Sequence, residues 1–246
     1  MRIAALSDFH LGVTSQRDGF RHPLDDFARV LDRLEATHET IVLLGDIYQT
    51  DHGLVPSRAR ARRHLERARE RIGVLAERLD SPPYVYVFGN HDEVAGEVLG
   101  AKEQVSLRAH GVGVFMIHGH QFDPVARRAR LAADLGTWST GRLRAVGMRP
   151  LAQWLEDRDI EVKDRRFRGQ RGPYVVAGRD LARTHDASVV VMGHTHVASI
   201  TETPEGMVVN TGSCSRGRFE YVSIDTAART VALYRGNDRV VHALSP

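Results

Sequence analysis

Tyr84-Val85-Tyr86-Val87-Phe88 followed by Gly89-Asn90-His91-Asp92 is an apolar run that stops at a polar turn. Alternating β-branched and aromatic residues favour a strand. The turn then presents an amide, an imidazole and a carboxylate at the strand's end. The same arrangement recurs four times. Residues 3–7 lead to Asp8 and His10, 40–44 to Gly45-Asp46, 112–117 to His118-Gly119-His120, and 188–192 to Gly193-His194-Thr195-His196.

Between these runs the spacing becomes helical. Residues 24–35 place apolar side chains at 24, 27, 28, 30, 31 and 34, which suits a helix packed on one sheet face. After Pro56 and Ser57, a start signal, Leu65, Ala68, Ile72, Leu75, Ala76 and Leu79 keep the same rhythm, so one helix is expected over 57–79. Three short runs at 207–210, 221–224 and 231–234 are separated by turns and expected to be antiparallel. Strands early and late with helices between them specify an α/β (α+β) architecture, sheets packed under helices. A chain of 246 residues can form this as a single domain spanning 1–246 with a full core.

Residues 122–182 break the regularity and read as a helical, basic cap inserted over the site. From 121 to 183 there are fourteen Lys or Arg against eight Asp or Glu, whereas the whole chain carries only +3. Trp138, Trp154, Leu131, Leu135, Leu143, Val146, Leu151 and Leu155 give the segment apolar surface to pack.

With 42% hydrophobic and 26% charged residues the composition is that of a globular protein, neither disordered nor membrane-embedded. Its longest apolar runs fall well short of the ~20 residues that span a bilayer. The first apolar stretch is too short for a secretory signal, so a cytoplasmic location is expected. The single Cys214 cannot form an intrachain disulfide.

Strand ends on one sheet edge are where ligands collect, because the loops there converge on a crevice. The groups delivered to it are Asp8, His10, Asp46, Asn90, His118, His194 and His196, with no thiolate among them. Oxygen and imidazole donors suit Mn, Fe, Zn, Ni or Co better than a structural Cys-type zinc site. Seven donors are too many for one ion, but they fit two if Asp46 bridges. Two cations about 3.5 to 4 Å apart bind phosphate, acidify a shared water and stabilise both attacking and leaving oxygens. Hydrolysis of a phosphate ester or anhydride is the matching reaction. Arg58, Arg60, Arg62, Arg63, Arg67, Arg69 and Arg71 could meet an anionic partner, but Glu66, Glu70 and Glu77 among them favour a solvated helix face.

The five blocks as a set resemble the signature of calcineurin-like metallophosphoesterases. That resemblance implies a β-sandwich flanked by helices with a dinuclear centre at the sheet edges. It implies Asp8, His10 and His196 on one metal, Asn90, His118 and His194 on the other, and Asp46 between them. Manganese is the expected metal. His91 becomes the catalytic residue, protonating the leaving oxygen or stabilising phosphoryl charge. One position departs from the pattern: in the family's phosphoprotein phosphatases an Asp three residues after the bridging Asp orients the catalytic histidine, and here that residue is Gln49. Asp51 or Asp92 could take its place, and the sequence leaves open what orients His91.

Chain length, the basic insertion and Asn210-Thr211-Gly212-Ser213 further resemble bacterial UDP-2,3-diacylglucosamine hydrolases. This implies a lipid-linked nucleotide diphosphate as substrate, cap arginines such as Arg127, Arg128 and Arg130 as phosphate contacts, and peripheral association with the inner membrane face. The best-known enzymes of that group carry Arg where this chain has His91, which keeps a general phosphodiesterase, phosphatase or nuclease in view. Nucleic acid fits less well, since the cap lacks the basic-aromatic interleaving that stacks bases. A non-catalytic scaffold is the reading from another class.

Overall fold

The computed structural model describes residues 1–14, 19–50, 57–123 and 169–244, with single positions between 143 and 162. Most of the expected cap, including Arg127, Arg128 and Arg130, lies outside the described residues, as does Asp51.

Two mixed sheets face each other. The first has the order β11-β10-β9-β1-β2-β3, built from β1 (Arg2–Leu6), β2 (Thr40–Leu44), β3 (Tyr84–Val87), β9 (Glu220–Asp225), β10 (Thr230–Arg235) and β11 (Asp238–Ala243). The second has the order β4-β5-β6-β8-β7, from β4 (Gln104–Ala109), β5 (Val112–Ile117), β6 (Val189–Met192), β7 (Ser199–Thr203) and β8 (Gly206–Asn210). β1, β2 and β3 run parallel, as do β5, β6 and β8. The carboxyl ends of these parallel strands carry all five polar blocks.

Strand side chains alternate between faces, and here both faces are buried. Ile3, Ala5, Val42, Leu44, Val114, Met116, Val189 and Val191 fill the space between the sheets. Ala4, Leu6, Ile41 and Leu43 point the other way, against Phe27 and Leu31 of α1 (Leu24–Glu35) and Leu65, Ala68 and Ile72 of α2 (Arg58–Ile72). On the second sheet Phe115, Ile117, Val190 and Met192 pack on Tyr174 and Ala182 of a further helix, Pro173–His185. The result is a four-layer sandwich, helix, sheet, sheet, helix.

Several local expectations are corrected. The helix expected over 57–79 is two, α2 and α3 (Val74–Leu79), because Gly73 sits between them at φ 54°. The run at 207–210 is not simply antiparallel: β8 pairs parallel with β6 and antiparallel with β7. Residues from Pro173 on, taken in the sequence as the end of the cap, form a helix of the sandwich itself. On α2 Arg58 and Arg62 both bridge Glu97, at 2.8 and 2.6 Å, and Arg69 pairs with Asp80. Among the described residues no helix is long and apolar enough to cross a membrane.

Leu43 is fully buried between sheet and helices. Leu43→Ala is expected to lower unfolding free energy by about 3 kcal/mol, measured by urea denaturation; a loss below about 1 kcal/mol would contradict this packing.

Candidate metal centre

The β1–β2 ladder does not stop where the strands do. Asp8 N–H donates to Gly45 O at 3.0 Å, His10 N–H to Asp46 O at 2.9 Å and Leu11 N–H to Ile47 O at 2.9 Å. Further backbone bonds tie Thr50 N–H to His91 O, Gly193 N–H to His118 O and Cys214 N–H to Ser7 O, each at 3.0 Å. The loops bearing the polar blocks are thus stitched to one another.

This stitching holds an uncommon backbone. Ten described non-glycine residues have positive φ, and Asp8, His10, Asp46, His194 and His196 are half of them. Non-glycine residues enter this region at a cost and concentrate at functional sites. Two glycines make room beside them: a Cβ on Gly45 would sit 2.4 Å from His118 Nδ1, and one on Gly89 would sit 2.2 Å from Asp46 Oδ1.

The side chains converge as three linked clusters, Asp8/His10/His196, His10/Asp46/His91 and Asp46/His118/His194, whose ligand-type atoms within each lie within 4.8 Å of one another. His10 and Asp46 each belong to two clusters. Six of the seven residues read from the sequence as metal donors are therefore brought together, with His91 beside them. Asn90 is exposed and sits between two anchored neighbours, Gly89 and His91, whose N–H groups donate to Asp92 and Asp46.

The donor atoms are prepared for metal. His118 Nδ1 lies 2.8 Å from the carbonyl of Leu44, so Nδ1 always carries a proton and Nε2 is the nitrogen that can give one up and offer a lone pair to a cation. His118 Nε2 and Asp8 Oδ1 are buried without a hydrogen-bond partner. Each instead approaches another donor atom: His118 Nε2 lies 3.2 Å from Asp46 Oδ2, and Asp8 Oδ1 3.0 Å from His196 Nε2. Close approach without hydrogen-bond geometry is what ligands aimed at a common cation present. His194 Nε2 meets Asp123 Oδ2 at 3.1 Å, the outer-shell carboxylate that commonly orients a ligating histidine.

Charge in the site is tightly coupled. Burial works against ionisation of Asp8, but His196 beside it outweighs this and holds the carboxyl well below its usual range. Asp46 is likewise buried and held well below the usual range, by His118 and His91. Burial would lower His118, yet Asp46 raises it to about 9. Burial pushes His10 down to about 3 against the pull of Asp46, and burial with His118 and His194 pushes His120 down to about 3.

Asp92 and Gln49 resolve the departure seen in the sequence. Asp92 does not substitute for the missing aspartate. Its Oδ1 accepts from Asp46 N–H at 3.2 Å and Gly89 N–H at 2.6 Å, and its Oδ2 from Ile47 N–H at 2.7 Å, Tyr48 N–H at 3.1 Å and the Tyr86 hydroxyl at 2.5 Å. Gln49 itself contacts His91, at 2.8 Å. Asp123 had no role in the sequence reading; its one signal is a carboxylate three residues after the block His118-Gly119-His120.

The family model for calcineurin-like phosphoesterases matches residues 1–198. The chain belongs to the calcineurin-like phosphoesterases. Among solved structures, Vps29 from Chaetomium thermophilum is similar with a TM-score of 0.51 at 12% identity, covering 100% of both chains. A single mutant of Vps29 from Entamoeba histolytica gives 0.50 at 16% identity, covering 98% of this chain and 99% of that one. YfcE, a phosphoesterase from E. coli, gives 0.49 at 19% identity over 100% and 98%. No functionally curated protein matches significantly in sequence. At these identities the Vps29 likenesses speak for the fold alone, and within that fold the five blocks bring this chain's polar residues to the sheet edges.

Two outcomes are expected. Asp92→Asn replaces an acceptor of five donors by a group that is half donor, and should cost about 3 kcal/mol in denaturant unfolding; a cost under about 1 kcal/mol would contradict the anchoring role. His118, raised to about 9, is protonated in the metal-free protein below that pH and must lose its proton to ligate. Zinc uptake at pH 7.5 should therefore release about one proton from this residue, measured by calorimetry in buffers of different ionisation heat and compared with His118→Ala. Equal release from both proteins would contradict the assignment.

Proposed function

We propose that this phosphoesterase is a metal-dependent hydrolase of phosphate esters or anhydrides holding two divalent ions, manganese first among Mn, Fe, Zn, Ni and Co. The observation that carries the reading is the convergence of Asp8 Oδ1 and His118 Nε2, buried and unpartnered, on the other donors of their clusters. Asp8, His10 and His196 would hold one ion, Asn90, His118 and His194 the other, and Asp46 would lie between. When bound, the ions supply charge for the phosphate and acidify water for attack.

The chain's own residues do the rest. Asp46 is fixed from below by the His91 N–H on Oδ1 at 2.9 Å, leaving Oδ2 toward the donors. His91 Nε2 lies 3.9 Å from that Oδ2, at the side of the clusters. There its imidazole can donate to a phosphoryl oxygen as charge builds on it. Asp123 orients His194, and the Leu44 carbonyl orients His118.

For the substrate we propose a lipid-linked nucleotide diphosphate, with UDP-2,3-diacylglucosamine as the first compound to test, taken up at the inner face of the membrane. Support comes from the basic segment 122–182 and its Arg127, Arg128 and Arg130, which lie outside the described residues. A general phosphodiesterase, phosphatase or nuclease is the alternative.

The test compares manganese-loaded protein on bis-p-nitrophenyl phosphate, p-nitrophenyl phosphate, UDP-2,3-diacylglucosamine and single-stranded DNA. Hydrolysis of the diphosphate above the others is expected, abolished by Asp46→Asn. Cleavage of DNA alone would overturn the substrate, and no hydrolysis of any of the four would favour a scaffold.

A further inference from the structure

Gln49 is buried, three residues beyond Asp46, and its amide lies between two histidines. Oε1 is 2.8 Å from His10 Nδ1, and Nε2 is 2.8 Å from His91 Nδ1. An amide nitrogen has no acceptor lone pair, so it can only donate, and an amide oxygen can only accept. One rigid group therefore dictates opposite proton placements on two rings.

The direction of the amide follows from His10. Its Nε2 faces the cluster, 3.2 Å from His196 Nε2 and 3.8 Å from Asp8 Oδ1. To ligate there, Nε2 needs a free lone pair, which puts the ring proton on Nδ1 and requires an acceptor beside it. Gln49 Oε1 is that acceptor. Its NH₂ then necessarily points at His91 Nδ1, which must accept, so the proton of neutral His91 sits on Nε2. A reversed amide would place NH₂ against His10 Nδ1 and force the proton onto the ligating nitrogen.

We propose that Gln49 is a positioning residue that couples the two sites: by accepting from His10 and donating to His91 it sets His10 for metal and His91 as an Nε2–H donor toward the substrate phosphate. An aspartate or glutamate here would accept from both rings: a carboxylate offers no donor, so it would orient His91 with its proton on Nδ1, the opposite tautomer to the one Gln49 sets. Of the two roles the sequence left open for His91, this selects hydrogen-bond donation to the phosphoryl group over delivery of a proton to the leaving oxygen. The proposal rests on the metal-dependent hydrolase reading, but its primary readout does not use activity.

The test is the tautomer pattern in long-range ¹H–¹⁵N spectra of the ring nitrogens, recorded on zinc-loaded protein because zinc is diamagnetic. The wild type should show His10 protonated at Nδ1 and His91 protonated at Nε2. Gln49→Glu should leave His10 unchanged and move the His91 proton to Nδ1, while Gln49→Met should release both rings from a fixed pattern. On a substrate that the wild type hydrolyses, Gln49→Glu should lower kcat about 10- to 100-fold with little change in KM or zinc affinity. A wild-type His91 protonated at Nδ1, or a Gln49→Glu spectrum identical to wild type, would overturn the proposal. The wild-type spectrum decides it even if a variant does not fold, and an inactive wild type with the expected tautomers would count against the hydrolase reading alone.

Discussion

The site depends on a buried carboxylate that touches no candidate metal position. Asp92 gathers the N–H groups of Asp46, Ile47, Tyr48 and Gly89 and the hydroxyl of Tyr86. These come from the ends of two neighbouring parallel strands, and past those ends no ladder satisfies their donors. A buried orphan N–H is costly, so Asp92 both removes that cost and locks the two loops in one register. Asp46 and His91, on either side of the lock, then have fixed positions.

That rigidity is used against two opposing costs. Asp8, Asp46 and Asp92 are buried carboxylates in one small volume, and Asp8, His10, Asp46, His194 and His196 hold a left-handed backbone. Neither is favourable alone. Inter-loop hydrogen bonds hold the backbone and Asp92, and Asp8 and Asp46 are matched by imidazoles, His196 and His118 foremost. A divalent cation between them would replace shared protons by fixed positive charge, without requiring the loops to move.

Much of this was legible in the chain. The parallel strands showed as apolar runs because both of their faces are buried, and the polar residues after them stood out for the same reason. β4, β7 and β11 were not legible as buried runs, because β4 and β7 are only partly covered and β11 is exposed along almost its whole length, Val240 and Val241 included. Missing β7 hid the parallel orientation of β8. In the site, residues that act by sitting at a strand end could be named, and residues that act through a distant partner could not. Gln49 read as a missing aspartate rather than an amide spanning two rings, Asp92 as a substitute for it rather than an anchor, and Asp123 as part of an insertion.

The proposed function requires two ions, one on either side of Asp46. Anomalous diffraction at the manganese edge from manganese-soaked crystals tests it most directly. Two peaks about 3.5 to 4 Å apart, one beside Asp8, His10 and His196 and the other beside His118 and His194, are predicted. A single peak, or manganese bound away from Asp46, would contradict the account.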